Sequence, residues 1–250
     1  MSQYSEIAKT LTEALHLKTA PIAICLTDKP PAGVAARSGP ATAGCFFWEE
    51  GSKKAFSTSA ADHENCVVGM YTHHLPMGEA QQTDLNDAIK VFGELGYVRP
   101  EDLPGIPVLA KEPKNVVYAP LAEAPAQPDV VLILADAAQG LILTEAAQQV
   151  EGGIPPVLGR PACAVVPQVA NGGKAAMSLG CCGARAYMNS LQDNIGLWAF
   201  PGAKIQAYAE RIATLAKANQ ILTQFHQLRR KDIESGQHPS IKDSLVRLQG

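Results

Sequence analysis

The sequence predicts an α/β fold: a mixed, partly parallel sheet flanked by helices, with a long C-terminal helix. Three observations carry this. Residues 129–134, Asp-Val-Val-Leu-Ile-Leu, are a β-branched apolar run, followed by helix-period residues 137–150 and a further apolar stretch at 162–166. That order reads as a βαβ unit. Amphipathic helical spacing marks both ends of the chain, residues 1–20 and 201–230. The 21 glycines and 18 prolines cut the middle into short elements. No repeat or linker separates them, so residues 1–250 are expected to form a single α/β domain.

The elements follow in order. Tyr4, Ile7, Leu11, Ala14 and Leu15 recur at three- and four-residue spacing and define the first helix. After Pro21, residues 22–26 make a buried strand carrying Cys25. Residues 29–43, rich in Pro, Gly and Ala, are a loop. Residues 45–48 and 54–58 flank Glu49-Glu50-Gly51-Ser52 and read as a hairpin. Residues 62–70 carry Cys66, and a helix near 84–95 stops at Gly96. Residues 116–119 and 129–134 are strands, and the helix at 137–150 closes on Gly152-Gly153. Residues 175–179 lead into Gly180-Cys181-Cys182-Gly183, and 195–200 form a further strand. The last helix has Pro201 near its start, basic Arg229, Arg230 and Lys231 at its end, and a stripe of Ile205, Tyr208, Ile212, Leu215, Leu222, Phe225 and Leu228. Asn219 sits in that stripe, where a polar residue can fix the register of a homodimer; packing on the chain's own sheet is the commoner use of such a face. Trp48 and Trp198 are expected in the core.

Composition excludes several functions. With 46% hydrophobic and 18% charged residues, the chain builds a core and is neither a disordered tail nor a rod. A formal net charge of -3 argues against nucleic acid as a partner. The most apolar stretch, 130–143, is broken by Asp136, Gln139 and Gly140 and is too short for about 30 Å of hydrocarbon, so no membrane is expected. The N-terminus has none of the parts of a secretory leader, which leaves a cytoplasmic location as the expectation. There is no G-x-G-x-x-G, H-E-x-x-H or G-x-S-x-G. Asn171-Gly172-Gly173-Lys174 imitates a phosphate loop, but Ala175 stands where Ser or Thr is needed.

The cysteines remain, at 25, 45, 66, 163, 181 and 182. In a reducing compartment they point to metal, redox or core roles in preference to disulfides. No C-x-x-C occurs, so spacing alone is a weak metal signal. Context strengthens it: Gly44-Cys45, Cys66-Val67-Val68-Gly69 and Gly180-Cys181-Cys182-Gly183 set thiols beside glycines. Gly69, Gly180 and Gly183 are thus candidates to let backbone wrap a bulky inorganic group. Any single cysteine is more often a small buried hydrophobe, and Cys25 inside its strand fits that use.

The order of several segments resembles the uncharacterised archaeal-type conserved family ArCR, domain-of-unknown-function family 169. They are Pro21-Ile22-Ala23-Ile24, Cys45, Asn65-Cys66-Val67-Val68-Gly69, Val117-Tyr118-Ala119-Pro120-Leu121, Pro128-Asp129-Val130-Val131, Ala162-Cys163-Ala164, and Ser178-Leu179-Gly180-Cys181-Cys182-Gly183-Ala184-Arg185. The resemblance implies a set of four thiols, Cys45, Cys66, Cys163 and Cys181. Cys182 departs from the family pattern and leaves open which of the adjacent pair would be the ligand. By residue type, four thiolates suit a 4Fe-4S cluster, with zinc as the alternative. The family carries no reaction.

Two further residues are singled out. His63 lies three residues before Cys66 and shares a helical face with it if that segment is helical. It is a candidate base or ligand, as are His73 and His74, although the latter two read as a polar loop before Pro76. Arg185 is a candidate for binding an anionic substrate bidentately, with a structural role as its counterpart. The leading expectation is therefore an iron–sulfur protein serving a small molecule or redox partner. The alternatives are a metal-free cysteine nucleophile (Cys181 or Cys66, with His63 or His74) and a zinc-stabilised dimerising subunit.

Overall fold

The computed structural model describes residues 2–249. Seven strands form one sheet: β1 (Ile22–Thr27), β2 (Phe56–Thr58), β3 (Asn115–Pro120), β4 (Val130–Ala135), β5 (Val157–Leu158), β6 (Ala176–Ser178) and β7 (Gly196–Pro201). The helices are α1 (Gln3–Leu15), α2 (Phe46–Gly51), α3 (Val67–Thr72), α4 (Glu79–Glu94), α5 (Ala137–Glu151), α6 (Val165–Gly172), α7 (Cys182–Tyr187), α8 (Ile205–Glu234) and α9 (Ile241–Gln249).

The strand order is β2-β3-β1-β4-β7-β6-β5. The sheet is mixed, as the sequence predicts, and its parallel part is small. β1 runs antiparallel to β3 and β4, β4 to β7, and β7 to β6. Among the strands of the described residues only β5 and β6 pair in parallel, through Val157↔Met177 and Leu158↔Ser178. The expected βαβ unit is corrected at its third member. Residues 162–166 are not a strand but a 3₁₀ turn (Ala162–Ala164) running into α6. A five-residue apolar run has no period that separates a strand from a buried helix, and here Val165, Val166 and Val169 bury one helical face.

Strand alternation splits the core in two. Ala23, Val131, Ile133 and Phe200 face α1, α5 and α8. Ile22, Ile24, Val130, Leu132 and Tyr118 face the other way, toward the short helices. On the first side the long helices have ordinary ends. Ser2 caps α1 by accepting from the Ser5 amide at 3.2 Å, and Asp136 and Gln139 form a capping box at the start of α5.

The second side holds another correction. Residues 45–58 are not a hairpin: 46–51 are helical, and only 56–58 form a strand. Phe47, Trp48 and Gly51 are buried at helical spacing. Gly51 is there for close approach and not for a turn, because a Cβ on it would stand 2.8 Å from the Tyr118 Cβ.

α8 is the predicted C-terminal helix, but its stripe divides. Ile205, Tyr208 and Ile212 are buried on the sheet side, Asn219 and Leu222 are exposed, and Phe225 is buried again. Farther along, α9 folds back, and Arg247 pairs with the buried Asp232 at 2.7 Å. Among the described residues no helix is long and apolar enough to cross a membrane.

Candidate functional site

Five of the six cysteines meet on the short-helix side. Cys45, Cys66 and Cys181 are the residues immediately before α2, α3 and α7, and Cys163 lies in the 3₁₀ turn before α6. Each thiol therefore stands where a helix begins and peptide N–H groups lack intrahelical partners. All four, with Cys182, line one cavity of about 450 Å³. Cys25 is excluded by strand parity: it shares the side of β1 that Ala23 presents to the long helices, and it is buried there.

The adjacent pair separates. Cys181 packs against the core with Cys66 and Cys163, and its Sγ accepts from the Ala184 amide at 3.5 Å. Cys182 is exposed and pairs with the Tyr97 hydroxyl at 2.9 Å, at the rim.

The thiols sense one another. Burial pushes the Cys45 thiol up to about 12, and the charges of Cys66 and Cys181 add to the rise. Burial also drives Cys163 upward, followed by Cys66, although the Thr72 hydroxyl donates to its Sγ at 3.3 Å. Thiolates so arranged do not ionise together in an apolar cavity unless a cation takes up their charge. Gly69 belongs to this arrangement, since a Cβ there would come 2.8 Å from the Cys66 Sγ.

The model of the Uncharacterised ArCR family, DUF169, matches residues 10–211. The chain belongs to this family. The matched span contains all four thiols and ends within α8, leaving the outer part of α8 and α9 beyond it. No curated protein and no solved structure matches the chain.

The remaining candidates in this ArCR chain fall in different places. The Thr58 hydroxyl donates to the Val116 carbonyl at 3.2 Å, so His63 Nε2–H donates to Thr58 Oγ1 at 3.1 Å and Nδ1 is left bare. That nitrogen is buried without a partner. It stands 3.4 Å, and the Cys66 Sγ 3.7 Å, from where a Cβ on Gly44 would be. Burial first, then the charges of His73 and Arg37, push His63 down to about 3. It is a neutral imidazole behind the thiol wall.

His73 is not the polar loop residue the sequence suggests. It is buried, donates from Nδ1 to the Gly69 carbonyl at 3.1 Å, and is pushed down to about 4 by burial. His74 is exposed, with Nδ1 on the Leu109 carbonyl at 2.9 Å.

Arg185 has its guanidinium engaged by the backbone. It donates to the carbonyls of Leu179, Leu191, Gln192 and Ile195. The candidate anion binder thus fastens the loop between α7 and β7. Gly180, at φ +85, serves the same turn, for a Cβ there would lie 3.4 Å from that guanidinium. Gly183 lines the cavity, and a Cβ on it would meet only the Tyr187 ring, at 3.9 Å.

Sequence reasoning missed Tyr97 and Arg160, which also line the cavity. No local pattern marks them, because their partners are 85 and 63 positions away in the chain. Among the described residues no three Cys, His, Asp or Glu side chains are gathered tightly enough to hold one metal ion.

Proposed function

We propose that this chain is an iron–sulfur protein that holds a 4Fe-4S cluster on Cys45, Cys66, Cys163 and Cys181. The observation that carries the reading is the convergence of four thiols, from four separate stretches of sequence, on one cavity. Zinc on the same four thiolates, each at about 2.3 Å, is the alternative; in a cluster each thiolate takes its own iron.

A bound cluster supplies one-electron chemistry. The chain's residues contribute the rest. Mostly apolar walls surround the sulfurs, and the Thr72 hydroxyl and Ala184 amide donate to two of them. Gly69 makes room for a third. The half-open cavity gives a small molecule or a redox partner access, and a reducing cytoplasm suits four free thiols. The metal-free alternative rests on Cys66 or Cys181 as the nucleophile, since burial raises the Cys45 and Cys163 thiols and makes them poor thiolate sources.

Single cysteine-to-alanine variants, prepared anaerobically and assayed for iron and sulfide, test the reading. Cys45→Ala, Cys66→Ala, Cys163→Ala and Cys181→Ala are each expected to lose more than about half of roughly four irons per chain. Cys25→Ala and Cys182→Ala are expected to keep them. Equal iron in all six variants would overturn the ligand set.

A further inference from the structure

The roof of the cavity is made of apolar side chains that protein buries only in part. Leu85, Ala88, Ile89 and Phe92 recur at i, i+3, i+4 and i+7 on α4 and line the cavity. Among the described residues of α4 only Leu85 is buried. An amphipathic helix ordinarily buries such a stripe against its own core, yet this one is turned toward open volume. Val98 and Ile106, in the segment after α4, extend the same apolar wall.

The rim has the opposite character. The Arg160 guanidinium lies 3.5 Å from the centroid of the Tyr97 ring and donates to the Tyr97 carbonyl at 2.9 Å. Tyr97 is tied across the mouth to Cys182 at 2.9 Å. Among the described residues no carboxylate lies within ion-pair distance of Arg160, whereas neighbouring Arg99 is neutralised by Asp102 at 2.7 Å. A planar cation held flat on an aromatic ring, with N–H donors unspent, is preorganised for a carboxylate. Arg160 also lines an adjoining cavity of about 460 Å³, so it stands where the two spaces meet.

We propose that this cavity is a binding site for a small organic monoanion. Its hydrocarbon body lies under the α4 stripe, and its carboxylate is held by Arg160. The volume falls within the usual range for small-molecule sites. The proposal names a ligand class for the cavity in which the cluster reading places iron, and it rests on that reading only for the chemistry at the floor. The roof and rim are independent of it.

Calorimetric titration of the full chain with naphthalene-2-carboxylate and its uncharged carboxamide tests the site, with iron measured on the same samples. The carboxylate is expected to bind once per chain, at least about tenfold more tightly than the carboxamide. Arg160→Gln, at an exposed position, is expected to erase that preference. Ala88→Trp, which fills the cavity from its roof, is expected to abolish binding of both at unchanged iron content and melting temperature. Absence of carboxylate binding to the unmodified chain would overturn the proposal, as would a preference that survives Arg160→Gln. Binding in protein that takes up no iron on anaerobic reconstitution would leave this site standing while the missing iron overturns the cluster, and iron without binding would do the reverse.

Discussion

The two faces of the sheet are built on different terms. On one, α1, α5 and α8 close over Ala23, Val131, Ile133 and Phe200 to make a continuous core. The helices fit closely there: Gly140 of α5 gives way to Trp198, and a Cβ at that position would be 2.3 Å from the indole. Glu151 accepts from the Tyr208 hydroxyl and the Ala175 amide, fastening the end of α5 to α8 and to the start of β6. On the other face, α2, α3 and α7 are six residues each. Helices that short have no stability of their own and are held by what they pack on. Their starts carry thiols, and the space between them is left open. One face supplies stability, and the other gives up packing to keep a cavity lined with sulfur.

Substitutions on the two faces should therefore fail in different ways. The largest expected effect on the open side is at Gly69. In Gly69→Ala the added methyl meets the Cys66 Sγ at 2.8 Å, and iron retention after anaerobic reconstitution should fall by more than half with the far-ultraviolet circular dichroism unchanged. On the closed side, Gly140→Ala drives a methyl into Trp198 and should cost about 1–3 kcal/mol. Thermal melting should read this as a fall of about 2–10 °C, with iron content intact. If Gly140→Ala lost iron, or Gly69→Ala lost only stability, the contrast between the faces would be wrong. The smallest effect is at Cys182. Cys182→Ser keeps a polar partner for Tyr97 and lies at the exposed rim, so stability should move by less than about 0.5 kcal/mol and iron by nothing measurable.

The same contrast governs what could be read from sequence. The long helices were legible because α1, α5 and α8 run for 13, 15 and 30 residues, long enough for a 3.6-residue period to repeat. The strands 116–119, 129–134 and 195–200 were also legible from their apolar runs. The short helices were not. Six residues complete fewer than two turns, so Phe46–Gly51 imitated a strand and Gly51 imitated a turn.

At the site, Cys25 was already set apart as a buried strand residue, and glycine context marked Cys45, Cys66 and the Cys181-Cys182 pair, while Cys163 and the grouping of the four came from the resemblance. Which of Cys181 and Cys182 faces inward depends on the start of α7, where Cys181 accepts the Ala184 amide and Cys182 turns to Tyr97. Arg185 gave no hint of its four carbonyls, because that clamp closes only when the loop to β7 folds over it. The roof was half legible: a helix near 84–95 was expected, but its partner could not be inferred, since most of its stripe faces a cavity.

The central claim is that the open face exists to hold an iron–sulfur cluster. Iron and acid-labile sulfide, counted per chain on anaerobically purified and reconstituted protein together with its visible spectrum, test it most directly. The account predicts a brown protein with about four irons and four sulfides per chain and broad visible absorbance. A colourless protein without iron would contradict it, and so would one carrying a single zinc in place of iron.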